Sequence, residues 1–239
     1  MNKEFLQSLR EQIKSGTVTE QEPMSRHTSF SIGGPADVFV QPATKEEIKN
    51  AIFCAKEAGV PFFVMGNGSN LLVSDEGFRG MIIQIGKNFQ EISVQDTVIE
   101  VQAGALLSRT ARAAWNAGLT GFEFAAGIPG TTGGAVAMNA GAYGGEIKDV
   151  LLDAQVLTQD GEFLTLTAEE LELSYRHSCI FEKKYVVVSA RFAFEKGDAD
   201  QLRGRMDELA KARREKQPLE FPSAGSTFKR PEGYFAGKL

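Results

Sequence analysis

The alternation of apolar and polar positions divides the chain into helical and extended stretches. Residues 1–16 place Phe5, Leu6, Leu9 and Ile13 on one side of a helix, at the spacing of an amphipathic element. So narrow a stripe predicts a helix packed outside the main core, followed by an irregular polar stretch to His27. Residues 37–41 are apolar and rich in β-formers. Thr44 and Glu47 have the spacing of a capping box, opening a helix with Ile48, Ala51, Ile52 and Ala55 on one face and Gly59 as its stop. Short strands are predicted at 61–65, 70–74 and 81–85, so the first lobe reads β-α-β-β-β in outline, and the alternating run 98–101 gives another strand. Residues 105–117 form a second helix ending at Gly118; strands near 150–158, 162–166 and 185–194 complete a second α+β lobe. Residues 198–216 predict a charged helix with Leu202, Met206, Leu209 and Arg213 in register, ended by Pro218. A third unit starts at 219–239, where residues 234–239 resemble the opening of an amphipathic element.

Composition narrows the function classes. At 239 residues, with 42% hydrophobic and 24% charged side chains, the chain is ordinary globular material. A net charge of −5 lacks the basic excess that binding to a nucleic-acid backbone requires. The opening residues carry charges every few positions, unlike a signal peptide, and no run reaches the roughly 20 apolar residues of a membrane span. Cys54 and Cys179 match no metal or redox spacing and read as core thiols of a cytoplasmic protein. With His27 and His177 as the only histidines, no metal site is expected.

Two glycine-rich stretches are the strongest chemical signal. Residues 127–145 hold seven glycines and no charged side chain, a composition that brings backbone close to a ligand or turns tight corners. Its candidate binding residues are Gly127, Ile128, Pro129, Gly130, Thr131, Gly133, Gly134, Ala135, Asn139, Gly141, Ala142 and Tyr143. The second stretch, Gly66-Asn67-Gly68-Ser69-Asn70-Leu71, follows an apolar strand. Leu71 stands where a dinucleotide fingerprint has its third glycine, and no helix signal follows, so the Rossmann pattern is disfavoured. One loop per lobe could grip a diphosphate between two backbone nests.

Three further groups qualify. Arg176, within Ser174-Tyr175-Arg176-His177-Ser178, has the fork that suits a carboxylate, although a surface arginine reads the same way. Ser226, within Ser223-Ala224-Gly225-Ser226-Thr227, lacks the surroundings of a hydrolase nucleophile and suits proton donation better than attack. Arg213, Arg214 and Lys216 complement the end of a helix dipole or bind phosphate, and Arg230 follows the serine motif.

Together these motifs resemble the UDP-N-acetylenolpyruvoylglucosamine reductase (MurB) family, in its shorter type II form. The resemblance runs through His27-Thr28-Ser29-Phe30 with Gly33-Gly34-Pro35-Ala36, the two glycine stretches, Ser174-Tyr175-Arg176, and Ser223 to Lys229. It implies an α+β, two-lobed FAD-binding fold of the vanillyl-alcohol-oxidase (PCMH) type, followed by an incomplete α+β substrate domain. The expected division is 1–28 as lead-in, 29–102 and 103–196 as FAD lobes, and 197–239 as the start of the substrate domain. FAD would be the bound cofactor and NADPH the co-substrate. The reaction would be reduction of an enolpyruvyl UDP-sugar in peptidoglycan precursor synthesis, in the cytoplasm, with a monomer favoured. Arg176 matches the family's enolate-stabilising arginine and Ser226 its proton donor; Lys216, Arg230, Arg213 and Arg214 fall near the substrate diphosphate. The family's C-terminal glutamate has no counterpart before Leu239, so impaired turnover of a shortened chain is expected. A flavin oxidase of the same fold and a non-enzymatic flavin or nucleotide-sugar module are the alternatives.

Overall fold

Two sheets, one of four strands and one of five, carry the fold of the computed structural model, which describes residues 2–217, 219–231, 233, 234 and 236. Helix α1 (Lys3–Gln12) starts where the Asn2 side chain accepts from the Glu4 amide at 3.0 Å. Strand β1 (Thr17–Pro23) pairs antiparallel with β2 (Pro35–Gln41), so the stretch read as irregular before His27 is an edge strand. Its residues Thr19, Glu20 and Gln21 are exposed, which leaves no buried face to impress an alternating pattern on the sequence.

Helix α2 (Lys45–Glu57) buries Ile48, Ala51, Ile52 and Ala55 as the periodicity requires. Thr44 caps it, accepting from the Glu47 amide at 3.1 Å. The reciprocal half differs from the expected box: the Glu47 carboxylate takes the Ala43 amide at 2.8 Å and reaches back to the amides of Lys14 and Ser15 at 2.7 and 2.6 Å. This clamp holds the exit of α1 against α2. Phe5, Leu6, Leu9 and Ile13 are consequently buried in the main core, not outside it.

Strands β3 (Phe62–Met65) and β4 (Phe78–Gln84) run parallel to β2, giving the order β1-β2-β4-β3. Residues 70–74, expected as a strand, are a loop. Leu71 and Val73 alternate there because they cover a small cluster of Met24, Ala36, Phe39, Met65 and Ile82. Val38 and Val40 of β2, with Met81 and Ile83 of β4, face the opposite way into the main core, as the two-residue period of a strand demands.

Strands β5 (Ile92–Gln95) and β6 (Val98–Gln102) form a hairpin. Although its sequence position suggests the first lobe, β6 hydrogen-bonds into the five-stranded sheet. Helix α3 (Leu107–Asn116) follows and ends before Gly118, which has φ 66°. The glycine-rich segment comes after a two-residue strand β7 (Leu119–Thr120) and holds helix α4 (Thr132–Ala137) and a hairpin of β8 (Gly141–Ala142) and β9 (Gly145–Glu146). Next are β10 (Leu151–Leu157), β11 (Phe163–Thr167), α5 (Cys179–Glu182), β12 (Val186–Ala193), β13 (Glu195–Lys196) and α6 (Ala199–Lys216). The second sheet has the antiparallel order β11-β10-β12-β6-β5.

Both sheets and the helices between them share one apolar core. At its centre Phe122 meets Phe124, Phe192 and Phe194 at ring separations of 5.5, 5.2 and 5.6 Å. Burying each such ring contributes about 2–3 kcal/mol. Cys54 and Cys179 are buried free thiols, and burial pushes both above the ordinary thiol pKa, which suppresses the thiolate. Asp198 caps α6, whose Leu202 and Leu209 are buried. Its expected stop, Pro218, lies outside the described residues, as do Phe235 and 237–239 of the expected final element.

Candidate functional site

The chain leaves β3 through Gly66-Asn67-Gly68-Ser69-Asn70-Leu71. Gly68 has φ 64°, and a Cβ there would also come closer than 3.0 Å to the His27 carbonyl, so two independent constraints demand glycine. The turn is held from below: the Gly68 carbonyl accepts from the Ser29 amide at 3.2 Å. His27, beside it, bonds Glu22 at 2.9 Å and lies 4.0 Å from the Phe39 ring. A Cβ on Gly34 would collide with the Asp75 backbone, which explains the paired glycines at 33 and 34 as a close-packing device. Among the described residues, the amides of Asn67, Gly68, Ser69 and Asn70 donate to no protein acceptor. Four successive free N–H groups on a tight turn are suited to an anion.

This loop touches the second glycine-rich segment directly. Asn67 Nδ2 donates to the Pro129 carbonyl at 2.7 Å, and a Cβ on Gly66 would fall inside 3.0 Å of Thr131 Oγ1. The second segment deploys its backbone differently. The amides of Ile128, Thr132, Gly133 and Ala135 donate to Ala125, Ala105, Ala103 and Thr131 at 3.0, 2.8, 2.8 and 2.9 Å. Those of Gly130, Thr131 and Gly134 have no acceptor among the described residues. A Cβ on Gly133 would press on Ala103, and one on Gly145 on the Phe124 ring, so these glycines serve packing. Ala142 and Tyr143 sit at the β8–β9 hairpin, Tyr143 with φ 54° and partly exposed.

Arg176, at φ 55°, lies in a tight turn closed by mutual backbone bonds between Ser174 and His177 at 3.1 Å each. Its guanidinium donates to the carbonyls of Gly141 at 2.8 Å and Asn139 at 3.4 Å, and lies 5.0 Å from the Tyr175 ring. Two of the five N–H groups of an arginine are thereby engaged, and the others remain for a ligand. Ser226 is exposed on a segment fastened at both ends. At one end Ser223 and Ser29 exchange bonds, amide to carbonyl at 3.0 Å and hydroxyl to carbonyl at 2.6 Å. At the other, the Arg230 amide donates to the Tyr175 hydroxyl at 3.4 Å. The serine therefore sits on a strap running from the support of the first loop to the turn carrying Arg176.

The basic residues divide. The Arg213 side chain lies along Gly127, 3.2 Å from the position of a Cβ there, whereas Arg214 and Lys216 are exposed in the last turn of α6. Arg230 also bonds the Tyr234 carbonyl through Nε at 3.2 Å. Sequence reasoning missed the anchoring serines, Ser29 and Ser223, although both lie inside motifs it singled out; nothing in a linear pattern signals that they meet across 194 positions. A groove of about 430 Å³ between β5 and α3, lined by Ile92, Val94, Arg109 and Arg112, contains none of the candidate residues. Among the described residues no helix is long and apolar enough to cross a membrane, and no group of three His, Cys, Asp or Glu side chains is placed to hold a metal.

The chain is similar to known proteins. The FAD binding domain family matches residues 36–167, which include both glycine-rich stretches. The UDP-N-acetylenolpyruvoylglucosamine reductase of Agathobacter rectalis is 54% identical over 251 aligned residues, spanning 100% of this chain and 80% of that protein. The enzyme of the same name from Clostridioides difficile is 46% identical, with 100% and 78% covered. Among solved structures, MurB of Thermus caldophilus superposes with a TM-score of 0.80 at 36% identity, covering 94% of this chain and 79% of that one. Phl p 4.0202, a glucose dehydrogenase, superposes at 0.65 with 16% identity over 82% of this chain and 45% of its own, a likeness of fold alone. With two glycine-rich loops in contact inside an FAD-binding domain, and relatives that match along the whole chain, the chain belongs to the UDP-N-acetylenolpyruvoylglucosamine reductase (MurB) family.

Proposed function

We propose that the chain catalyses the NADPH-dependent, FAD-mediated reduction of UDP-N-acetylglucosamine enolpyruvate to UDP-N-acetylmuramate, a step of peptidoglycan precursor synthesis. The observation that carries this reading is the contact of the two glycine-rich loops, with free amides on the first and Thr131 against Gly66. The donor set fits a dinucleotide diphosphate: an array of neutral N–H groups binds anions by its dipoles and needs no lysine. Gly66 to Leu71 would hold the diphosphate from one side. Gly127 to Thr131, with Gly133, Gly134 and Ala135, would face it from the other, and Gly141 to Tyr143 would line the continuation. When bound, FAD supplies the hydride, drawn from NADPH, that the β-carbon of the enolpyruvyl group requires.

The chain's own residues answer two demands of that chemistry. Negative charge develops on the substrate carboxylate as the β-carbon is reduced, and a cation fixed beside it lowers the barrier. Arg176 is that cation. Its two bonds to backbone carbonyls fix the plane of the guanidinium before substrate arrives, so little reorganisation is needed during reaction. The α-carbon then needs a proton from a positioned donor, and we assign that role to the hydroxyl of Ser226, which is exposed on the strap. Arg213, Arg214, Lys216 and Arg230 would receive the UDP diphosphate. Both substrates are soluble and charged, which suits a cytoplasmic enzyme, and we take the chain to act as a monomer.

The lobes follow the sheets, with 197–239 beginning the unit that covers the substrate. The test is spectroscopic. The purified chain should be yellow or take up FAD, bleach with NADPH under anaerobic conditions, and recover its colour only when the enolpyruvyl sugar is added. A protein that remains colourless with excess FAD would sink the reading; bleaching by simple alcohols or hydroxy acids in place of NADPH would point to an oxidase.

A further inference from the structure

We infer that Asn139 is a positioning residue for Arg176, and that its side chain is spent on this task instead of on a ligand; the catalytic part of the inference rests on the role of Arg176 proposed above. Asn139 is fully buried and adopts φ 41°, a left-handed conformation that asparagine tolerates better than most residues. It follows Met138, the C-cap of α4, where the chain turns toward the β8–β9 hairpin. Both donors of its amide are engaged. Nδ2 bonds the Ser174 carbonyl at 2.9 Å and Glu146 Oε2 at 3.0 Å, while Oδ1 accepts from the Lys148 amide at 3.0 Å.

These partners lie on the two elements that frame the guanidinium. The Ser174 carbonyl is the one that closes the turn carrying Arg176, since it also accepts from the His177 amide at 3.1 Å. The Asn139 backbone carbonyl and that of Gly141 accept from Arg176 itself. One residue thus holds the base of the turn through its side chain and the tip of the arginine through its main chain. Ser178, fully buried, adds a second tether by donating to the Ala137 carbonyl at 2.6 Å. With both N–H donors of a primary amide committed inside the protein, the Asn139 side chain has none to offer a ligand. The backbone supplies an independent reason for such a tether, because Arg176 at φ 55° is in a left-handed conformation that is strained for a side chain of its size.

Three variants separate the contributions. Asn139→Asp keeps the shape and the acceptor toward Lys148 but removes both donors and sets a carboxylate against Glu146. Asn139→Gly keeps the permitted φ and removes the side chain. Asn139→Ala removes the side chain and penalises φ. Hydrogen–deuterium exchange of the full chain should show at least tenfold faster exchange across 174–178 in all three, with 66–71 unchanged. In single turnover, reoxidation by the enolpyruvyl sugar should slow at least tenfold while bleaching by NADPH stays within twofold. On an Arg176→Ala background, Asn139→Gly should add no further slowing.

Wild-type exchange at 174–178 in Asn139→Gly would overturn the inference, because the conformation alone would then suffice. Uniformly raised exchange across the chain would also overturn it, by showing a general structural role. If the unsubstituted chain gives no reoxidation at all, the proposed function fails, and the exchange measurement still decides whether Asn139 holds the turn.

Discussion

The loop at 66–71 and the segment at 127–145 are both rich in glycine, yet they use it for opposite ends. In the first, glycine frees the backbone: Gly68 takes φ 64°, and four successive amides are left without protein acceptors. In the second, glycine lets chain pass close to chain: Gly133 nests on Ala103, Gly145 on Phe124, and most amides are bonded internally. The first region is a bare donor array. The second is a rigid scaffold that holds the half-buried Arg176 by the carbonyls of residues 139 and 141. Glycine content alone is therefore no measure of ligand contact; the destination of each N–H has to be followed.

The sharpest test of this division acts on the strap that joins the two regions. Ser226→Ala should slow product formation by about 10²–10⁴-fold, the usual range for loss of a positioned proton donor, and leave reduction of the flavin by NADPH unaltered. Stopped-flow measurement of each half-reaction gives the two numbers separately. Equal losses in both would remove the serine from the role of acid.

Next in size is the contact between the regions. Gly66→Ala would drive a Cβ into Thr131 Oγ1 and push the loops apart. FAD affinity should fall about a hundredfold, equivalent to about 2.7 kcal/mol, as read by quenching of flavin fluorescence. Unchanged affinity would mean that the cofactor does not depend on the approach of the two loops.

A control outside both regions separates loss of the cradle from loss of the fold. Glu47→Gln removes a carboxylate that is nearly buried and accepts four backbone amides, those of Ala43, Ser15, Lys14 and Gly16. The cost should be about 1–3 kcal/mol in thermal or urea melts, with the FAD affinity of the folded protein unchanged. Burial works to raise the Glu47 pKa, but the four donors outweigh it and hold the carboxyl below its ordinary 4.5. A carboxyl depressed in the folded state stabilises above its unfolded pKa, and that contribution is lost as pH falls through the folded value. Below pH 4.5 the wild type should lose stability with a component that the variant lacks.

The periodic elements were legible because burial writes them into the sequence. Helix α2 shows its face through Ile48, Ala51, Ile52 and Ala55, and both glycine stretches announce a close approach of backbone. What escaped lacked a periodic cause. Strand β1 is exposed along its centre, and residues 70–74 alternate to cover Phe39 and Met65 without pairing. Helix α1 reads as peripheral because its stripe is narrow, whereas its depth comes from the Glu47 clamp on residues 14 and 15. For the site, the resemblance supplied Arg176 and Ser226, but the anchoring by Asn139, Ser29 and Tyr175 depends on distances that no spacing encodes.

The finest distinction lies within the second region, at Gly134, which packing does not account for. A Cβ on Gly134 would stand 3.6 Å from Thr131 Oγ1, an ordinary contact, and the residue lies inside α4. On fold grounds alone, Gly134→Ala should therefore stabilise the protein by about 0.5–1 kcal/mol, the difference in helix propensity between the two residues. Its free amide, beside that of Thr131, instead suggests that the missing side chain leaves room for the cofactor. The expected result is a small rise in melting temperature of the FAD-free protein together with a several-fold loss of FAD affinity. A rise in stability with affinity intact would assign even this glycine to the scaffold, and the donor array would then belong to the first loop together with Gly130 and Thr131.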